Sequence, residues 1–224
     1  MRARASYGAR IVILLCAALF TAGETSAVPI KAEIYVLGRF PSGPEAKDHS
    51  GEGAGLGGCI VFPSHRVAKL FAAVGGVDWV ELESKTRGLD WTDYNAETRQ
   101  ITTQHYARIY VGGEIGGHGH GFLRPHAGVN FAVIGYWIYT RVQEWDYQTA
   151  DWETFRPKRL RFRPSLGYDL SCGMEFNFRD KWMIDLGLRT LRSLFVPLQL
   201  GDDAVTIYPQ YGEIYLGVGF PINK

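Results

Sequence analysis

Nine ionisable residues recur in mid-segment, each on the polar side of an alternating pattern: Arg108, Glu114, Arg124, His126, Asp169, Glu175, Asp185, Arg189 and Glu213. Cationic and anionic groups are in near balance. Charges enclosed on one face must pair, because an uncompensated buried charge is strongly unfavourable. Around the short turn at Arg179, antiparallel pairing brings Asp185 towards Glu175 and Arg189 towards Asp169. Around the turn at His118 it brings Glu114 towards Arg124 and His126. Such a set admits two kinds of chemistry. It is a salt-bridged filling, or it is a narrow polar pore whose charges set ion preference.

Other reactive residues fit catalysis or metal binding less well. His118 and His120 make an H-x-H pair within Gly117-His118-Gly119-His120-Gly121. An H-x-H pair on a strand can chelate a metal, but this one sits in a Gly-rich turn with no clear carboxylate or thiol partner. It reads as an exposed polar turn, and no metal site is expected. A serine nucleophile needs a neighbouring base; Ser64-His65 lies in a turn, and no other Ser–His spacing is useful. No catalytic residue and no cofactor are expected. Cys59 falls on an inward face and Cys172 on an outward one, so the two predict free thiols. The formal net charge of +1 gives no electrostatic case for nucleic acid.

The elements that position these residues are long strands. In 161–178, Phe162, Leu166, Tyr168, Leu170, Cys172, Met174, Phe176 and Phe178 alternate with Arg161, Arg163, Asp169, Glu175 and Asn177. Side chains alternate faces along a strand, so this stretch has one apolar and one ionic face. The same rhythm predicts eight strands, at 33–40, 53–62, 67–82, 100–116, 122–140, 161–178, 182–194 and 205–222. Asp78 sits among apolar neighbours in the third, where a bulge would shift the face. Short turns at 63–66, 117–121 and 179–181 alternate with long loops at 41–52, 83–99, 141–159 and 195–204. Those loops carry Trp91, Tyr94, Trp145, Tyr147, Trp152 and Phe155, which suit either partner recognition or a cap over the barrel. Both termini fall at the short-turn end.

The fold class is therefore all-β: an eight-stranded antiparallel up-and-down barrel. Its apolar face points to a core in a soluble barrel and to lipid in a transmembrane one. Gly is dense on the ionic face, as a narrow filled lumen requires. Aromatics concentrate at the ends of the apolar face: Phe62, Phe176, Phe178, Trp182 and Phe220 at the turn end, Trp137, Tyr139, Phe162 and Tyr208 at the loop end. Two such bands fit the interfacial girdles of a membrane barrel. Residues 1–27 read as a cleaved signal peptide, with Arg2, Arg4 and Arg10 before the apolar run 11–20, leaving 28–224 as the barrel domain.

The last strand, Tyr215-Leu216-Gly217-Val218-Gly219-Phe220-Pro221-Ile222, resembles the C-terminal assembly signal of bacterial outer-membrane barrels. Tyr215, Gly217, Phe220 and Ile222 carry the pattern, although the chain runs on past Phe220 to Lys224. With the leader and the strand rhythm, the mature chain resembles the small eight-stranded outer-membrane superfamily, the OmpA/OmpX/OmpW-like proteins. That resemblance implies an outer-membrane location, contact with the lipid bilayer and the barrel assembly machinery, and a structural or surface-interaction role with an unidentified loop partner. Some similar barrels are lipid A hydrolases with a His-x-Ser-Asn stretch. Here His126-Ala127-Gly128-Val129-Asn130 has Gly where the nucleophile belongs. A soluble periplasmic lipocalin-like barrel binding an apolar ligand, and a lipid A-modifying enzyme, are the alternatives.

Overall fold

The computed structural model describes residues 30–64, 70–89, 97–116, 121–178, 181–200 and 203–222. The leader, the residues 117–120 that hold both histidines of the H-x-H pair, Arg179, Trp91 and Tyr94 lie outside the described residues. In chain order the elements are β1 Lys31–Pro41, α1 Pro44–His49, β2 Gly53–Pro63, β3 Phe71–Leu89, β4 Thr98–Gly116, β5 Leu123–Asp146, β6 Asp151–Phe178, β7 Trp182–Ser193, β8 Val196–Leu200, β9 Asp203–Ile207 and β10 Gln210–Pro221. Eight of them, β1 to β7 and β10, close a barrel in which each strand pairs with its neighbours. Its seam is β1 against β10, antiparallel from Lys31–Pro221 to Pro41–Tyr211. The separate hairpin β8–β9 is inserted between β7 and β10.

Which face points inward decides what kind of barrel this is. Leu166, Leu186 and Val218 are 49%, 49% and 40% exposed, whereas Arg108, Asp169 and Glu213 are 0%, 0% and 1% exposed. The apolar side is outside and the ionic side inside, so the soluble-barrel alternative fails. The outer face ends in aromatic clusters. At the turn end Phe178 stacks on Trp182 at 4.1 Å and Phe122 meets Phe176 at 5.9 Å. At the loop end Trp137 lies 5.4 Å from Trp79 and 5.0 Å from Phe162. From Phe162 to Phe176 a strand tilted by about 40° climbs roughly 35 Å, a height that puts both clusters at the interfaces of a bilayer. The barrel is transmembrane.

Four expectations are corrected. The described ends of 83–99, up to Leu89 and from Thr98, and most of 141–159 are strand rather than loop. β3 pairs with β4 up to Leu89–Thr98, and β5 with β6 up to Asp146–Asp151. Backbone groups above the membrane are satisfied by continuing the ladder, which polar and aromatic composition does not signal. The eighth barrel strand starts at Gln210 rather than 205, because Pro209, with no N–H to donate, separates it from β9. No bulge occurs at Asp78: it pairs in register with Gly57 and Arg108, and the irregularity falls between Leu82 and Lys85. The loop 41–52 contains α1, which has a proline in its first turn.

Replacing Leu216, an outward residue between Ile214 and Val218 on β10, with Arg is expected to destabilise the bilayer-folded protein by about 2–4 kcal/mol. Urea titration of protein refolded into vesicles measures it. An Arg tolerated there without loss would contradict the lipid-facing assignment.

Candidate functional site: the charged lumen

Alternation along eight strands delivers one inward side chain every second residue, and the lumen sorts them into three levels. Nearest the loop end, Val80, Leu82, Ile134, Leu191 and Leu37 pack with Tyr106, Tyr136 and Tyr211, all buried. Arg39 lies between two of these rings, its guanidinium 3.9 Å from the Tyr106 centroid and 3.6 Å from that of Tyr211. Ala46 of α1 is buried against this layer, and Ser50 Oγ donates to the Tyr211 hydroxyl at 3.2 Å. Val196, at the start of β8, is buried as well.

The middle level is a cross-barrel network. Arg108 Nε donates to Asp78 Oδ2 at 2.5 Å, and Arg108 Nη1 to Asp169 Oδ2 at 3.2 Å. Asn130 Nδ2 donates to Asp169 Oδ1 at 2.7 Å, and the Tyr106 hydroxyl to Glu213 Oε1 at 3.0 Å. The Tyr35 hydroxyl bonds Asp78 and lies 2.8 Å from that of Tyr110. Arg189 adds ion pairs to Asp78 at 3.6 Å, Glu213 at 3.7 Å and Asp169 at 3.8 Å. Glu213 lies 3.6 Å from both Arg39 and Arg108. Three arginines thus face three carboxylates.

The lowest level lies towards the turn end. Glu175 takes Lys31 Nζ at 2.6 Å and Arg124 Nη1 at 2.9 Å. His126 bridges two acids, Nδ1 to Glu114 at 2.9 Å and Nε2 to Asp185 at 3.2 Å.

All nine ionisable residues singled out in the sequence project into this lumen. Two expected neighbours are changed or refined. Arg124 also bonds Glu175, its direct partner on β6, and Arg189 pairs with Asp169 through side-chain length, its own strand partner being Ser171. Four ionic members had not been anticipated: Lys31, Glu33, Arg39 and Asp78. Lys31 lay just before the expected strand start. Glu33 and Arg39 occupy the same odd-numbered face of β1, and that parity could have found them. Asp78 was hidden because β3 is apolar on both faces, its inward Val80 and Leu82 serving the upper core and its inward Val74 lining the turn-end cavity. Tyr215 and Gly217 of the terminal pattern are inward, while Phe220 and Ile222 are exposed. Cys59 and Cys172 are free.

A closed eight-stranded barrel with a lipid-facing exterior, an ionic lumen, and short turns opposite long extensions has the anatomy of bacterial outer-membrane barrels. It is a small eight-stranded transmembrane barrel. No family model matches the chain, and no curated protein matches it. Similar solved structures include Neisserial surface protein A, at 10% identity over 86% of this chain and 96% of that one, with a TM-score of 0.46. Ail, the attachment invasion locus protein of Yersinia pestis, is 13% identical over 86% and 95%, TM-score 0.44. OprG from Pseudomonas aeruginosa is 10% identical over 87% and 97%, TM-score 0.44. At these values only the general barrel architecture is shared.

Arg108→Ala is expected to cost about 3–5 kcal/mol, because Asp78 and Asp169 keep their burial and lose their principal donor. Asp78→Ala with Arg108→Ala should cost less than the two singles added, a coupling readable from urea unfolding of all four proteins. Additive losses would mean that the two side chains act separately.

Proposed function

We propose that this protein is a plugged outer-membrane barrel that anchors and displays a β-structured extension outside the cell, and that it neither conducts nor catalyses. The observation carrying this reading is the filled lumen. Arg108, Asp169 and Glu213 are at or below 1% exposure across the middle of the barrel, and Tyr106 and Tyr211, at or below 2%, close the apolar layer above them. A hydrated ion would have to break the central ion pairs and then cross that layer. His126 is held by Glu114 at Nδ1, and its Nε2 lies within ion-pair range of Asp185 and 3.4 Å from the Tyr215 hydroxyl, against Gly173 of β6, which favours a structural role for it.

Above the barrel rim β3, β4, β5 and β6 continue as a four-stranded sheet, since β2 pairs with β3 only to Leu82 and β7 with β6 only from Gly167. The β5–β6 ladder continues from Val133–Leu166 to Asp146–Asp151, on the order of 40 Å along the strand. Its tip is braced by Trp145 against Trp152, 5.4 Å apart and edge to face, with Arg99 3.9 Å from the Trp152 ring. Tyr147 projects at the turn, 66% exposed. A rigid aromatic tip held clear of the membrane suits recognition of a surface partner. The terminal Tyr215, Gly217, Phe220 and Ile222 then act as the assembly signal.

Purified protein in planar bilayers should give no reproducible unitary conductance; regular open-channel steps would overturn the plugged reading. The tip carries a pH signature as well. The Gln148 amide and the Thr149 hydroxyl each donate to Asp146 at 2.8 Å, and the first of these bonds leads in holding its carboxyl below the usual range. Stability from a lowered carboxyl pKa is present above the unfolded value and lost as pH falls through the folded one. Hydrogen-exchange protection at the Gln148 amide should therefore persist through mildly acid pH and fall below the ordinary carboxylate range. Asp146→Asn should reduce it already at neutral pH.

A further inference from the structure

The lumen's charges do not balance level by level. From Arg39 down to the turn end, the described inward residues are five fixed cations, Lys31, Arg39, Arg108, Arg124 and Arg189, and seven carboxylates, Glu33, Asp78, Glu114, Asp169, Glu175, Asp185 and Glu213. The middle level is neutral, Arg39, Arg108 and Arg189 against Asp78, Asp169 and Glu213. The whole deficit falls on the lowest level, where Glu33, Glu114, Glu175 and Asp185 face Lys31 and Arg124. His126, even when charged, offsets one of the two excess charges. All of these groups except Arg124 line a cavity of about 30 Å³, which Arg189 of the middle level also borders, room for roughly two water-sized occupants.

Acidity alone would not make a site, but this cavity also has unpartnered acceptors. Glu33 is 91% buried by its 9% residual exposure, and its Oε1 has no hydrogen-bond donor. Its other oxygen has only the Cys59 thiol, 3.8 Å away. Asn130 Oδ1 and Asp185 Oδ1 also lack a hydrogen-bond donor, although the latter is in ion-pair range of His126. Both residues line the same cavity. The neighbouring strand β10 leaves room for it: a Cβ at Gly217 would collide with its carboxylate. A buried carboxylate with no donor is costly, and oxygens without hydrogens are what a hard cation takes as ligands.

We propose that the turn-end basin binds a small, hard inorganic cation that balances the excess acid, with Glu33 as its principal anchor. Among the described residues no three His, Cys, Asp or Glu side chains are placed to ligate one metal ion directly. The ion therefore keeps part of its water shell, which the cavity can accommodate, and it enters from the turn side without passing the filled upper levels.

The test uses the full barrel refolded in neutral detergent, with sodium, calcium and choline chlorides compared at equal ionic strength. Sodium or calcium should raise the unfolding midpoint saturably, and choline, too large for the cavity, should not. Equilibrium dialysis with radiolabelled calcium or sodium, whichever is effective, should find one ion per barrel. Glu33→Gln should weaken that binding at least tenfold and should raise the midpoint in choline, because it removes the uncompensated charge. Asp146→Asn, which alters an acid of the exposed tip, should leave binding unchanged. Equal midpoints in all three salts would overturn the proposal. So would binding that survives Glu33→Gln, which would put the ion on surface acids. Identical stability of wild type and Glu33→Gln in choline would mean that a proton already neutralises Glu33, and the proposal would fall. Asp185→Asn, read in the same dialysis, serves if Glu33→Gln does not refold.

Discussion

A closed barrel of eight strands leaves a lumen only as wide as the side chains that fill it, and in a membrane its outer surface cannot take charge. Every ionic residue on a spanning strand must therefore point inward and meet its opposite there. The close contacts of Arg108 with Asp78 and Asp169 follow from that geometry. No neighbouring strand alone could satisfy a guanidinium at this depth. Asp78 is its direct partner on β3, while Asp169 and Glu213 come from β6 and β10, across the lumen. Such a cross-brace ties distant strands together, so the interior resists ovalisation as well as ion passage. Removing charge from both ends of one bond and leaving the others would be tolerated far better than removing one end.

The lumen is not uniform along its axis, and the gradient has a physical logic. The loop-end level is apolar and aromatic, capped by α1 and the start of β8, and excludes water. In that environment Arg39 is held by two tyrosine faces and one distant carboxylate, a placement a solvated guanidinium would not adopt. The turn-end level is acidic, and there small inward residues such as Gly217 leave space that the neighbouring Glu33 enters. Tight filling above and a small void below distinguish the two ends of the lumen.

Much of this was legible because period-two alternation is a strong signal when one face is apolar and the other ionic. β6 and β10 display it cleanly, with Asp169 and Glu175 on the one and Tyr211, Glu213 and Tyr215 on the other all buried. It weakens where the lumen itself becomes apolar. In β3 the inward Val74, Val80 and Leu82 match the outward Val77 and Trp79 in kind, so the one acid among them looked like an irregularity. It also fails above the membrane. There neither face is pressed against lipid, the sequence loses its two-faced contrast, and strand continuation is decided by backbone pairing. Trp145 and Trp152 were visible as aromatics in a supposed loop, but their meeting across a ladder depends on the register of β5 with β6. Ion pairs across the barrel were beyond reach for a similar reason: strand neighbours follow from turns, whereas opposite walls depend on closure and shear.

The protruding sheet raises a problem that the barrel itself avoids. Closure removes edges, but above the rim β6 is unpaired on one side up to its turn with β5, and β3 is unpaired beyond Leu82. Open edges recruit other strands and lead to aggregation unless they are defended. The part of β6 beyond its pairing with β7 contains Pro157 and Pro164. Proline withholds the N–H that a docking strand would need. The part of β3 beyond its pairing with β2 is short. Such defences leave the faces and the aromatic tip, rather than the edges, as the surfaces on which a specific partner can gain contact without inviting strand-by-strand self-association.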